Sequence, residues 1–97
     1  MVRCIRYLIF WIAVFELTGC GPPRPTSEWE VVDLYDYGQR NFEGEDYLRS
    51  MEAFRIITLN YTTSDMIDDA MFYLGESYRE MEEYPIAAVT YRRLMRD

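Results

Sequence analysis

Two thiols, four serine hydroxyls and a surplus of carboxylates are the groups in this 97-residue chain that could do chemistry. Cys20 has the most telling context. It follows Leu17, Thr18 and Gly19. Small side chains there would admit a peptidase, and a thiolate is the nucleophile that forms a thioether. Cys4 is the other thiol. Ser27, Ser50, Ser64 and Ser77 have no histidine to activate them, since the chain contains none. Carboxylates pair at Asp68 and Asp69, at Glu82 and Glu83, and at helical spacing at Glu76 and Glu80. Hard cations take such ligands, but acidic pairs on helices are more often a solvated face. No metal site and no catalytic set is expected, and the chain reads as a binding protein rather than an enzyme.

The segment ahead of Cys20 has the layout of an export signal. Arg3 and Arg6 give a basic start, and a nine-residue apolar run follows from Tyr7 to Phe15. A membrane-spanning helix needs about 20 apolar residues, whereas a signal core needs roughly 7–15. Leu17-Thr18-Gly19-Cys20 then resembles the bacterial lipobox. That resemblance makes Cys20 the candidate lipidation site: it implies a lipoprotein signal peptide over 1–19, cleavage between Gly19 and Cys20, and a covalent lipid on Cys20, palmitate among its chains, with no other cofactor. Cys4 lies in the part such a cut removes, so no disulfide is expected. Each buried CH₂ contributes about 0.8 kcal/mol of membrane affinity, so several acyl chains make a lasting anchor. Gly21, where an aspartate would retain the protein at the inner membrane, points to the periplasmic face of the outer membrane.

Composition narrows the partners. Seventeen Asp and Glu against ten Arg give a net charge of −7, which a phosphate backbone repels. No nucleic-acid partner is expected. Nine Tyr, five Phe and two Trp supply enough apolar surface to argue against disorder.

Residues 20–27 read as the lipidated cysteine and a proline-rich tether. Ser27 and Glu30 have capping-box spacing, which predicts a helix start. Four helices are expected, over Glu28–Glu43, Asp46–Asn60, Asp65–Met81 and Tyr84–Arg96, so the fold class is all-α. Pro85 suits a first helical turn. The chain also repeats itself. Gly38 and Gly75, Tyr47 and Tyr84, Ser50 and Ala87, and Phe54 and Tyr91 each lie 37 residues apart. A period of 20–50 residues marks stacked supersecondary units.

The second unit resembles the tetratricopeptide repeat through Met71, Leu74, Gly75, Tyr78, Ala87 and Tyr91. The first unit matches with Leu34, Tyr37, Gly38, Ser50 and Phe54, and has Asn41 where Tyr is expected, with Phe42 as its substitute. The repeat's late proline is replaced by Thr62. The resemblance implies two tetratricopeptide-like repeats, about 28–62 and 65–97, as the start of an α-solenoid. It implies helix packing through Leu34, Gly38, Phe54, Leu74, Gly75, Tyr78, Ala87 and Tyr91.

The stretch from Leu59 to Leu94, with Tyr61, Ser64, Ala70, Leu74, Gly75, Tyr78, Tyr84 and Ala87, is similar to the outer-membrane assembly lipoprotein family, BamD. It departs at Thr62, where that family has proline. The resemblance implies a lipid-anchored periplasmic scaffold for outer-membrane β-barrel protein assembly. Its partner would be a barrel protein bearing POTRA domains, with no small-molecule substrate. The YbgF-like coordinators of envelope growth and division carry very similar repeats and stay open as the alternative. Family members have more than two repeats, so an N-terminal fragment of a longer chain is expected. By the same analogy a partner groove would be lined by Tyr35, Gln39, Phe42 and Glu43 in the first unit. Asp69, Phe72, Glu76 and Arg79 would line it in the second. An acidic groove prefers basic or polar peptides.

Overall fold

A computed structural model describes residues 23–96. The predicted signal peptide and the cleavage and lipidation positions Gly19 and Cys20 lie outside the described residues. Four helices follow in order: α1 (Val31–Glu43), α2 (Tyr47–Asn60), α3 (Ile67–Glu80) and α4 (Tyr84–Arg96), with no strand among the described residues. Each helix packs against the next. The four are joined by short turns, which makes neighbours antiparallel.

The first helix starts at Val31, three residues later than the capping box predicts. Ser27 does not cap it. A helix from Ser27 would spend the Ser27 carbonyl on the Val31 N–H. Instead the Tyr61 hydroxyl, from beyond α2, donates to the carbonyls of Ser27 and Trp29. The Thr26 carbonyl accepts from the Trp29 N–H at 3.1 Å, and the Thr26 hydroxyl from the Glu28 N–H at 3.3 Å. The Trp29 ring stands edge-on to Tyr37 at 5.6 Å. Residues 23–30 are thus an extended strap ending in a turn. Pro25 within it is buried, so the last part of the predicted tether is docked on the helices. At the other starts, Asp46 caps α2 by accepting from the Arg49 N–H at 3.3 Å. Ser64 and Asp65 sit in a turn that delays α3 to Ile67.

The 37-residue offset recurs in the backbone. In the first hairpin turn the N–H groups of Gly44, Glu45 and Asp46 donate to the carbonyls of Arg40, Phe42 and Asn41. In the second, those of Met81, Glu82 and Glu83 donate to Ser77, Arg79 and Tyr78. Glu45 and Glu82 take the same left-handed conformation, φ 63° and 62°. The close approach within each hairpin recurs too. A Cβ on Gly38 would stand 2.7 Å from Phe54 Cζ, and one on Gly75 would stand 2.6 Å from Tyr91 Cε1. Only glycine lets the two helices come this near.

One core runs through both hairpins, built from Leu34, Phe54, Ile57, Ala70, Leu74, Tyr78 and Ala87. Burying a Leu, Ile or Phe side chain fully contributes about 1.5–3 kcal/mol, and Leu34, Phe54 and Ile57 are wholly buried. Two hydroxyls are buried with it. Ser50 Oγ donates to the Gly38 carbonyl at 2.9 Å, and Ser77 Oγ to the Tyr73 carbonyl at 2.8 Å, the two oxygens lying 3.3 Å apart. No described buried side-chain polar atom lacks a partner, so this seam costs no unpaired group.

Candidate functional site

Helices α1 and α3 share a face because both lean on α2. Their apolar and aromatic positions recur every three to four residues, which keeps them on one side of each helix. At the centre of that face is Tyr73. Its ring stacks on Phe54 with centroids 5.5 Å apart and planes 19° apart. Phe42 and Phe72 meet it edge-on at 5.3 Å each, and Tyr35 at 6.5 Å. Tyr35 also meets Phe54 at 5.7 Å, and Phe42 meets Tyr47 at 5.3 Å. Edge-to-face pairs of this kind contribute about 0.5–1.5 kcal/mol each beyond the area they bury. The cluster thus holds α1 and α3 side by side.

Polar groups flank the rings. Gln39 Nε2 donates to the Tyr35 hydroxyl at 3.1 Å. Burial raises the Tyr35 phenol above its ordinary pKa; the Gln39 bond opposes this and the Asp69 charge adds to it. Further along α3, Glu76 accepts from Arg79 Nη2 at 2.6 Å and from the Tyr91 hydroxyl at 2.8 Å. Burial pushes the Glu76 carboxyl up, but the bonds from Arg79 and Tyr91 and the Arg79 charge outweigh it. Its pKa lies below the ordinary carboxylate value. Arg79 also reaches Glu80 at 3.0 Å, and the same partners hold its guanidinium charged.

Of the eight candidate groove residues, Tyr35, Phe42 and Phe72 come together through Tyr73, with Gln39 and Asp69 beside Tyr35. Glu76 and Arg79 form a separate polar patch tied to α4. Glu43 stands apart. It is exposed and lines, with Gln39, Arg40, Asp33 and Asp36, an open acidic depression along α1. Phe42 is the equivalent of Arg79, one place beyond the core position of Tyr78. Its ring therefore turns to Tyr47 and Tyr73 and does not replace the missing tyrosine. Asn41 holds that place and donates to the Tyr37 carbonyl at 2.8 Å. Of the candidate packing residues, Leu34, Gly38, Phe54, Leu74, Gly75, Tyr78 and Ala87 are buried and Tyr91 is half-buried.

Tyr73, the hub, escaped the sequence reading. Its equivalent in the first unit is Asp36, an exposed acid, so the repeat marks the position as solvent. The signal available was its place between Ala70 and Ser77 on one stripe of α3. The face offers aromatic and acidic contacts but no nucleophile with a base beside it. Among the described residues no group of three or more acids and cysteines is placed to hold a metal ion, and no helix is long and apolar enough to cross a membrane. No family model, curated protein or solved structure matches this chain.

Proposed function

We propose that this chain is a lipid-anchored periplasmic scaffold built of tetratricopeptide-like hairpins, which binds partner proteins in the assembly of outer-membrane β-barrels. Its role is binding, without catalysis, and its one covalent group is a lipid on Cys20. The observation that carries the repeat reading is the double close approach, Gly38 under Phe54 and Gly75 under Tyr91, at one 37-residue offset with matching hairpin turns. The groove reading is supported by the aromatic face around Tyr73, with Phe72 43% exposed and the Asp69 charge beside Tyr35. The envelope location rests on the lipobox-like Leu17-Thr18-Gly19-Cys20 and the apolar run before it.

Crosslinking in detergent-solubilised envelopes, followed by purification and mass spectrometry, tests the reading. A large barrel protein with periplasmic domains as the main partner supports it. Peptidoglycan-synthesis or Tol-type partners in its place move the function to coordination of envelope growth.

A further inference from the structure

The four helices divide by charge. Within α1 there are three acids and one Arg, and within α3 four acids and one Arg. Helix α2 has two Arg and the single acid Glu52, while α4 has three Arg and no acid. A chain of net charge −7 has thus placed five of its Arg on α2 and α4.

Three of the five, Arg55, Arg92 and Arg96, line up with apolar residues. Leu48, Glu52, Arg55 and Leu59 form one stripe of α2 at spacings of four, three and four, which is one face of a helix. Pro85, Val89, Arg92 and Arg96 form the same stripe of α4, each 37 residues on. Seven of the eight are exposed, Glu52 alone being half-buried. Leu48 is 55% exposed, Leu59 61% and Val89 47%. Exposed aliphatic side chains interleaved with arginines are what an interfacial surface needs. The aliphatics enter the headgroup–acyl boundary, and each arginine keeps its stem there and its guanidinium among the phosphates.

The strap comes from the same side. Arg24 and Pro25 border a shallow depression with Met51, Glu52, Arg55, Ile56 and Leu59 of α2. Pro25 is buried, so the chain leaves the folded part beside this face. Cys20 is three residues before Pro23, and three residues of chain reach at most about 11 Å. A lipid on Cys20 would hold the α2 side against the bilayer.

We propose that the outer face of α2 and α4 lies on the anionic headgroup surface of the membrane, turning the α1–α3 aromatic face towards the aqueous compartment. This rests on the anchor reading of Cys20 and adds an orientation to it. The test uses protein purified from envelopes, carrying single introduced cysteines with nitroxide labels, in mixed phosphatidylethanolamine and phosphatidylglycerol vesicles. The mass of the N-terminal peptide reports acylation of Cys20 independently. Labels at Leu59→Cys and Val89→Cys are expected to lose collisions with an aqueous nickel chelate and gain them with oxygen. Labels at Glu43→Cys and Asp69→Cys are expected to stay open to nickel. Arg55→Glu with Arg92→Glu is expected to remove the protection at Leu59, as does replacing phosphatidylglycerol by phosphatidylcholine. Equal nickel access at all four positions on an acylated chain overturns the orientation and leaves the anchor standing. An unacylated chain sinks the anchor, and the face is then judged by the same labels with vesicles added: protection supports it, and open labels overturn it. Labels at Leu59 and Val89 buried by a second copy or another protein, without vesicles, also overturn it.

Discussion

The Tyr91 ring lies so close over the Cα of Gly75 that a methyl there would stand 2.6 Å from Cε1 and 2.9 Å from Cδ1. The ring cannot swing away freely, because its hydroxyl is held by Glu76 at 2.8 Å. Gly75→Ala therefore forces the hairpin apart. Overpacking costs about 1–3 kcal/mol, and the better helix propensity of alanine returns about 1. A net loss of up to about 2 kcal/mol is expected in urea denaturation. Gly38→Ala is expected to cost more, since Phe54 is wholly buried and stacked on Tyr73. In a Tyr91→Leu background the Gly75→Ala cost should shrink. A full cost in that background would mean the clash is not with the ring.

The same tyrosine makes stability depend on pH through Glu76. The carboxyl is depressed in the folded chain, so the unfolded chain binds more protons between the two pKa values, and stability rises with pH there. The contribution is complete above the unfolded value of about 4.3 and is lost as pH falls through the folded one. Wild type should lose stability over that acid interval more steeply than Glu76→Gln. Parallel curves for the two would show that the bonds from Arg79 and Tyr91 do not bias the carboxyl.

In the hairpin turns the glycine and the strain are in different places. Gly44 has φ −81°, which any residue adopts, and a Cβ there would make an ordinary contact with the Arg40 carbonyl at 3.4 Å. Glu45 and Glu82 hold the left-handed conformation, which costs a side-chain-bearing residue roughly 1–2 kcal/mol. Glu82→Gly should raise stability by about 0.5–1 kcal/mol, after the extra freedom of glycine in the unfolded chain is subtracted. Gly44→Ala should be neutral or stabilising by up to about 1 kcal/mol. Thermal melts of the two variants, each alone, decide this. A destabilised Glu82→Gly would locate the strain elsewhere.

Phe72 and Tyr73 are neighbours with different duties. Tyr73 touches four other rings, so Tyr73→Ala should cost about 3 kcal/mol or more in stability, in the range of large aromatic truncations. Phe72 is 43% exposed and meets Tyr73 at one edge. Phe72→Ala should cost well under half of that, yet weaken capture of the partner about tenfold if it anchors the contact. Calorimetric melts beside quantitative crosslinking separate the two effects. Unchanged capture by Phe72→Ala would remove this face from the binding surface.

The helices and their close contacts were legible because they recur. Gly38 with Phe54 and Gly75 with Tyr91 repeat at one offset, and a repeated small–aromatic pair has few uses other than packing. What the chain hid depends on distant partners. Ser27 and Glu30 have the spacing of a helix start, but Tyr61, 34 residues from Ser27, takes the carbonyl the helix would need. No local pattern encodes that competition. Tyr73 was hidden for the opposite reason. The repeat itself pairs it with Asp36, so periodicity marked as solvent a ring that tertiary packing half-buries among four others.

The proposed lipid on Cys20 has the most direct test. Only the thiol can carry the thioether, so Cys20→Ser should detach the folded part from the membrane. The nine-residue apolar run from Tyr7 to Phe15 is too short to span a bilayer, so an uncut signal offers only a weak hold. The proposed face of α2 and α4 would add a second weak hold, and salt weakens it by screening its arginines, because the Debye length falls to about 3 Å at 1 M. Envelopes carrying the variant, washed at high salt, should release it to the soluble fraction, while the wild-type chain floats with outer membranes. A variant that still floats after the wash would show that the attachment is not the Cys20 lipid, and the scaffold would need another anchor.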